Sequence, residues 1–100
     1  VQQGEVWARA DAPAHALIVS ADLYNRAGTS RVVTCPVIPG EPLPHDDYAA
    51  DAGITTPIRG TILPELVAWM PVSGLSHPLG PIPTDAWQRV DQILRRILGP

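Results

Sequence analysis

Gly4-Glu5-Val6-Trp7-Ala8-Arg9 and Ala16-Leu17-Ile18-Val19-Ser20 decide how this chain folds. The first stretch alternates, with Val6 and Ala8 on one side, which is the pattern of a short strand. Asp11-Ala12-Pro13-Ala14 then breaks it. The second stretch is an unbroken apolar run rich in β-branched residues, and it predicts a strand buried on both faces. The spacing allows the two to form a compact hairpin. Ser20 reads as the cap of a short helical turn through Asn25, with Asp22 near the positive end of its dipole and Gly28 as its left-handed stop. Arg31-Val32-Val33-Thr34-Cys35-Pro36-Val37-Ile38 predicts a third strand. Pro36 has no N–H to give to a ladder, so it is expected at an edge or a bulge.

The chain is harder to read further on. Residues 39–60 hold Pro39, Gly40, Pro42, Pro44, Gly53, Pro57 and Gly60. Tyr48-Ala49-Ala50-Asp51 reads as a short strand and the rest as loop. Thr61 to Met70 reads as a strand region interrupted at Pro64. His77 to Pro83 reads as a rigid turn or a short strand. Thr84 is expected to cap a helix running to about Leu98. Trp87, Val90, Leu94 and Ile97, with Ile93 and Leu98 beside them, make an apolar stripe at helical spacing. Arg95 and Arg96 suit the negative end of its dipole, and Gly99 is a stop. The pattern is mainly β with a C-terminal helix.

Composition sets outer limits. The chain has 100 residues, which predicts a single domain over 1–100. Hydrophobic residues make up 45% and charged residues 17%, a globular balance and not a disordered one. No apolar run reaches the ~20 residues of a membrane span. Val1-Gln2-Gln3-Gly4-Glu5 has no basic region or apolar core, so no secretory signal is expected and the expected compartment is the cytoplasm. Ten acids oppose seven bases, and every base is arginine. A net charge of −3 speaks against strong nonspecific duplex binding, which needs many cationic phosphate contacts. A small site gripping one or two phosphates fits that charge. Cys35 is the sole cysteine, so no internal disulfide forms, and the residue reads as a small buried hydrophobe.

Motifs for nucleotide loops, zinc proteases and serine hydrolases are missing from the sequence. His15, His45 and His77 are widely spaced, so no metal site and no cofactor are expected. Metal-free RNA cleavage asks for less. A base takes the proton of a 2′-hydroxyl, an acid protonates the departing 5′-oxygen, and a cation stabilises charge on phosphorus. Single-stranded RNA also stacks on aromatic and guanidinium surfaces. His15, Arg9, Arg31, Trp7 and Trp69 are residues of the right kinds.

The order of these pieces is more specific than any one of them. Gly4-Glu5-Val6-Trp7, then Ala16-Leu17-Ile18-Val19-Ser20-Ala21-Asp22 and Asn25-Arg26, resembles the opening of MazF/PemK-type toxins. Val32-Val33-Thr34-Cys35-Pro36-Val37 is similar to the third strand of that family. Gly60-Thr61-Ile62-Leu63-Pro64-Glu65-Leu66 resembles a later strand, and Leu75 with the Thr84–Leu98 helix resembles its ending. The resemblance implies a CcdB/MazF-like α+β fold, a small twisted, partly barrel-like antiparallel sheet with a C-terminal helix. It implies a homodimer and an mRNA-cleaving toxin acting on single-stranded RNA. A cognate MazE-like antitoxin, whose disordered tail fills the RNA site, would neutralise it.

The chain departs from the family pattern at the catalytic positions. Ala14 and His15 stand where the family carries Arg-Pro, and Ile38 stands where it carries Thr. Leu66 and Ala68 replace a Gln-x-Arg, while Glu65 is kept. Candidate catalytic residues are therefore His15, Arg9 and Thr34, with Thr34 supplying a hydroxyl from the same strand. Candidate RNA-binding residues are Trp7, Ser20, Arg31 and Glu65. Ser20 is equally read as a helix cap, and Glu65 either lines the groove or pairs with an arginine. Trp69 reads as core, dimer interface or antitoxin contact. Trp87 reads as core, and Arg95–Arg96 as a solvated helix end. Two other readings of the same fold are a gyrase-binding toxin of CcdB type and a noncatalytic dimer that binds antitoxin or RNA. The ending Ile97-Leu98-Gly99-Pro100, with Trp87 the nearest tryptophan, argues against the gyrase route.

Overall fold

The computed structural model describes residues 1–42 and 51–99. Its central strand is β3, Arg31–Pro39, and the rest of the sheet is arranged around it. On one side β3 pairs antiparallel with β2, His15–Ile18, which pairs with β1, Glu5–Arg9. On the other side β3 takes two partners in turn. Its first half, Arg31 to Thr34, pairs with β6, Ala68–Pro71, and its second half, Val37 to Pro39, pairs with β5, Gly60–Ile62. β4, Ala52–Ile54, flanks β5, and β7, Leu75–Pro81, flanks β1. The order β4-β5-β3-β2-β1-β7 leaves an open sheet of seven strands, with β6 beside β3. The sheet is not closed into a barrel.

Pro36 corrects the expectation of an edge position. It sits in the middle of the sheet, but at the point where β3 changes partner from β6 to β5. Its carbonyl faces that gap and accepts the Leu63 N–H at 3.0 Å. Amide N–H and C=O of a strand residue point the same way in an antiparallel ladder. The missing N–H of Pro36 therefore falls where no strand asks for it.

Residues read as loop or turn contain more strand than expected. Ala52-Gly53-Ile54 and Gly60-Thr61-Ile62 form a small hairpin, and His77 to Pro83 is largely the seven-residue β7. β7 lies at the sheet edge, where Pro78 and Pro81 cost no ladder bond to a further strand. The Thr61–Met70 region is two strands joined by a 3₁₀ turn at Pro64–Leu66. The strand expected at Tyr48–Asp51 falls, but for Asp51, outside the described residues, as does His45.

Apolar residues fill both faces of the sheet. Val6, Leu17, Cys35, Val37 and Ile62 are fully buried beneath α2, Thr84–Leu98. Ala16, Ile18, Val32, Met70 and Leu75 form a second cluster on the opposite face, with Trp7 packed against it. The unbroken run of β2 serves both, Leu17 going to one cluster and Ala16 and Ile18 to the other. On α2 the buried positions are Val90 and Ile93, with Trp87 and Leu94 half-buried beside them. Each fully buried aliphatic side chain contributes about 1.5–3 kcal/mol. Ile97 and Leu98 run past the sheet and stay exposed, so the expected stripe is shorter than drawn.

Two caps differ from expectation. Thr84 is the first helical residue and not the cap. The extended Pro83 precedes it and accepts the Trp87 N–H at 3.0 Å. The short helix α1, Asp22–Asn25, is preceded by Ala21 and has no side-chain cap. Ser20 faces the sheet instead. Its hydroxyl accepts the Val33 N–H at 3.1 Å and donates to the Asn25 side-chain carbonyl, whose amide group bonds back to the Ser20 carbonyl at 3.1 Å.

Candidate functional site

Small residues on neighbouring strands leave a hollow on the sheet face away from α2. Thr34 on β3 lies directly opposite Ala68 on β6, and Ala16 on β2 lies opposite Pro36, two residues further along β3. Side chains of direct partners share a face, so Thr34, Ala68, Ala16 and Pro36 all present short side chains there. With Pro36 and Met70 these residues line a cavity of about 280 Å³. Arg9, His15, Leu66 and Trp69 complete the lining. The three residues expected to carry catalysis, Arg9, His15 and Thr34, thus come together from three strands.

Their roles in the cavity differ. Thr34 is 8% exposed and belongs to the floor. Arg9 ends β1 on the face of Trp7 and reaches the cavity from the side. Its guanidinium is clasped by Asp11: Nε and Nη2 each donate to one carboxylate oxygen at 2.8 Å. That hydrogen bond is the main reason the Arg9 pKa lies above its ordinary value and the Asp11 pKa below its own. His15 pairs with Ala8 and Val37, so the register sends its ring off the sheet on the Val37 side. It meets the cavity at the rim. Its Nδ1 is buried and has no hydrogen-bond partner among the described residues.

The expected RNA-binding residues divide. Arg31 is exposed and lies over the Trp69 ring, 5.1 Å from its centroid. Trp69 is 62% exposed and Leu66 60% exposed. Trp69 pairs with Val33, so like His15 its ring leaves the sheet on the side away from Thr34, and it meets the cavity at the rim. Glu65 is exposed on the 3₁₀ turn and borders a neighbouring depression with Asp51, Leu63 and Leu66. Trp7 is not in the cavity lining. It packs on the second apolar cluster, and its indole N–H donates to Glu5 at 3.2 Å. Ser20 is committed to Val33 and Asn25, as described above.

Sequence reasoning missed Asp11 and Leu66 and left Trp69 open. Asp11 reads as part of a strand breaker, and Leu66 as the residue that replaces a Gln of the family pattern. Among the described residues, no three His, Cys, Asp or Glu side chains are grouped as metal ligands. Cys35 lies below the sheet on the helix side, where burial pushes its thiol up to about 12.

Comparisons with known proteins bear on the family and the fold. A family model described as the type II toxin-antitoxin system toxin Rv0299 matches residues 4–97. Toxin Rv0299 of Mycobacterium tuberculosis is 46% identical over 63 residues, 63% of this chain and 61% of that protein. The match thus spans about three fifths of the length of that relative. Among solved structures, an endoribonuclease from mycobacterial species superimposes with a TM-score of 0.82 at 20% identity, covering 99% of this chain and 91% of that one. The same holds for an endoribonuclease from mycobacterial species in complex with its cognate antitoxin, with a TM-score of 0.80 at 20% identity over 99% of this chain and 95% of that one. A MazE–MazF structure from Deinococcus radiodurans gives 0.76 at 22% identity over 99% of this chain and 96% of that one. The fold is the MazF-like one that the motif order implies. With nearly its whole length matched by the family model, the chain belongs to the Rv0299 family of type II toxin–antitoxin toxins.

Proposed function

We propose that this toxin is an endoribonuclease that cleaves single-stranded RNA without a metal ion. The observation that carries the reading is the shared cavity of Arg9, His15 and Thr34. In the reaction the 2′-oxygen bonds to the adjacent phosphorus and the bond from phosphorus to the 5′-oxygen breaks. The 2′-hydroxyl proton leaves to a base, and the 5′-oxygen gains a proton. The products end in a 2′,3′-cyclic phosphate and a 5′-hydroxyl. His15, at the rim of the cavity, exchanges the protons. Arg9 stabilises the charge gathering on the phosphoryl oxygens, and the Thr34 hydroxyl donates to one of them. Trp69 and Arg31 hold a neighbouring base by stacking, and Leu66 and Glu65 extend the groove. Trp7 and Ser20 support the strands beneath.

The same reading carries the partners. A cognate antitoxin of MazE type lays its tail across the Leu66–Trp69 edge and shuts the RNA out. The toxin works as a homodimer, in the cytoplasm, where its substrate lies. Among the described residues, no helix is long and apolar enough to cross a membrane.

The test is incubation of the purified protein with a long single-stranded RNA in EDTA, with the new ends mapped by primer extension. Breaks at one short recurring sequence are expected. Intact RNA overturns the reading, and retained antitoxin binding would then favour the noncatalytic one.

A further inference from the structure

We propose that Asp11 is the positioning residue of this site, fixing the plane of the Arg9 guanidinium so that its remaining N–H groups meet a phosphate. The inference deepens the ribonuclease reading above and rests on it. Arginine carries five N–H donors in a rigid fork. Asp11 takes the Nε–H and one hydrogen of Nη2. The Nη1 edge and the second Nη2 hydrogen stay available, and a phosphate binds such an edge with two parallel hydrogen bonds.

The backbone beside the carboxylate is held in place by the fold. Ala10, between the two residues, donates its N–H to the Gly74 carbonyl at 2.8 Å, tying the β1–β2 turn to the 3₁₀ turn Val72–Gly74. Arg9 itself donates its backbone N–H to the Ala14 carbonyl at 3.3 Å, closing that turn. Gly74 is also where the turn and the cavity floor meet. A Cβ there would lie 3.7 Å from Asp11 Oδ2 and 2.8 Å from the Met70 methyl, and Met70 lines the cavity. Asp11 is thus registered against the floor on which a phosphate would rest.

Stability does not account for this arrangement. Asp11 is 52% exposed and Arg9 32%, and exposed ion pairs contribute little. Orientation does account for it. A free arginine side chain samples many rotamers, and fixing a catalytic cation before substrate arrives lowers the barrier to reaction more than it tightens binding.

The experiment compares wild-type protein with Asp11→Asn and Asp11→Glu. Asparagine keeps the size but cannot accept both guanidinium hydrogens. We expect Asp11→Asn to lower kcat about tenfold or more while KM moves less than about threefold. Asp11→Glu, which restores the carboxylate, should recover most of that loss. An unchanged kcat in Asp11→Asn overturns the inference. So does tighter RNA binding, which would mean that Asp11 merely competes with phosphate.

A second readout does not need activity. The Arg9 Nε–H resonance should be sharp and slowly exchanging in wild-type protein and broadened in Asp11→Asn. If wild-type protein leaves RNA intact, the ribonuclease reading falls, and the resonance alone decides on Asp11. A signal unchanged by Asp11→Asn overturns the clasp.

Discussion

Arg31 on β3 lies over Trp69 on β6, its guanidinium carbon 5.1 Å from the ring centroid. Their register partners, Val33 opposite Trp69 and Pro71 opposite Arg31, put the two on one diagonal of the strand pair. An indole that is 62% exposed adds little to the core. Capped by a cation at the edge of a cavity, it offers a platform for a nucleic-acid base.

Trp69→Ala is therefore expected to weaken single-stranded RNA binding by about 1–3 kcal/mol, the range for one stacked base. Thermal stability should move little, because the side chain is mostly in water already. Gel shift or fluorescence titration with a noncleavable 2′-deoxy oligonucleotide measures the first, and a melting curve the second. Equal affinity in the variant would remove Trp69 from the RNA site.

Thr34→Val tests the floor of the cavity. Valine has nearly the same shape and suits a strand as well as threonine does. Only the hydroxyl is lost, so the fold should be kept. Loss of one hydrogen-bond donor aimed at developing charge costs about 10²–10³ in rate where the donor is well placed. The expected result is a fall in kcat/KM of at least about tenfold with an unchanged circular dichroism spectrum. An unchanged rate would leave Arg9 and His15 to act without Thr34.

How far the sequence could be read depends on whether a residue's signal was local. Val6 and the α2 stripe spell out their elements by period, and Leu17 by an unbroken apolar run; all three lie in the core beneath α2 or on the helix itself. β4 leaves no signal because Ala52-Gly53-Ile54 holds too few residues to show a period. β7 was underestimated because Pro78 and Pro81 look like breakers until the strand is known to lie at an edge. Pro36 was misread for the reverse reason: its tolerance comes from a change of partner strand, which no local pattern records. Residue types pointed to Arg9, His15 and Thr34. Their shared cavity depends on register, and so does the projection of His15 to the opposite side from Thr34. Asp11 had no signal of its own, because a carboxylate two residues after an arginine is common on any surface.

Ser20 supports the strands by a different means from the one its sequence context suggests. Its hydroxyl satisfies the Val33 N–H and is held by Asn25. Ser20→Ala leaves that partly buried N–H without its acceptor, which should destabilise the protein by about 1 kcal/mol or more. Urea denaturation measures this loss. RNA affinity of the folded variant should match wild type, and a selective loss of RNA affinity would return Ser20 to the binding site.

Cys35 makes stability depend on alkaline pH. It is fully buried among Val6, Leu17 and Val37, and burial alone pushes its thiol up to about 12. In the unfolded chain the thiol ionises near roughly 8.5. Between those values the folded state keeps a proton that the unfolded state releases, so stability falls as pH rises. The slope approaches about 1.4 kcal/mol per pH unit above the unfolded pKa and is absent below it. Cys35→Ala removes this dependence, whatever it costs through the lost sulfur contacts. The measurement is the urea midpoint of both proteins from neutral pH to about pH 10. The wild-type midpoint should fall more steeply than that of the variant once the pH passes roughly 8.5. The native thiol should also resist iodoacetamide at pH 8 and react only when the protein unfolds, since the thiolate is the nucleophile. Parallel pH curves, or rapid alkylation of the folded protein, would mean that water reaches Cys35 beneath α2.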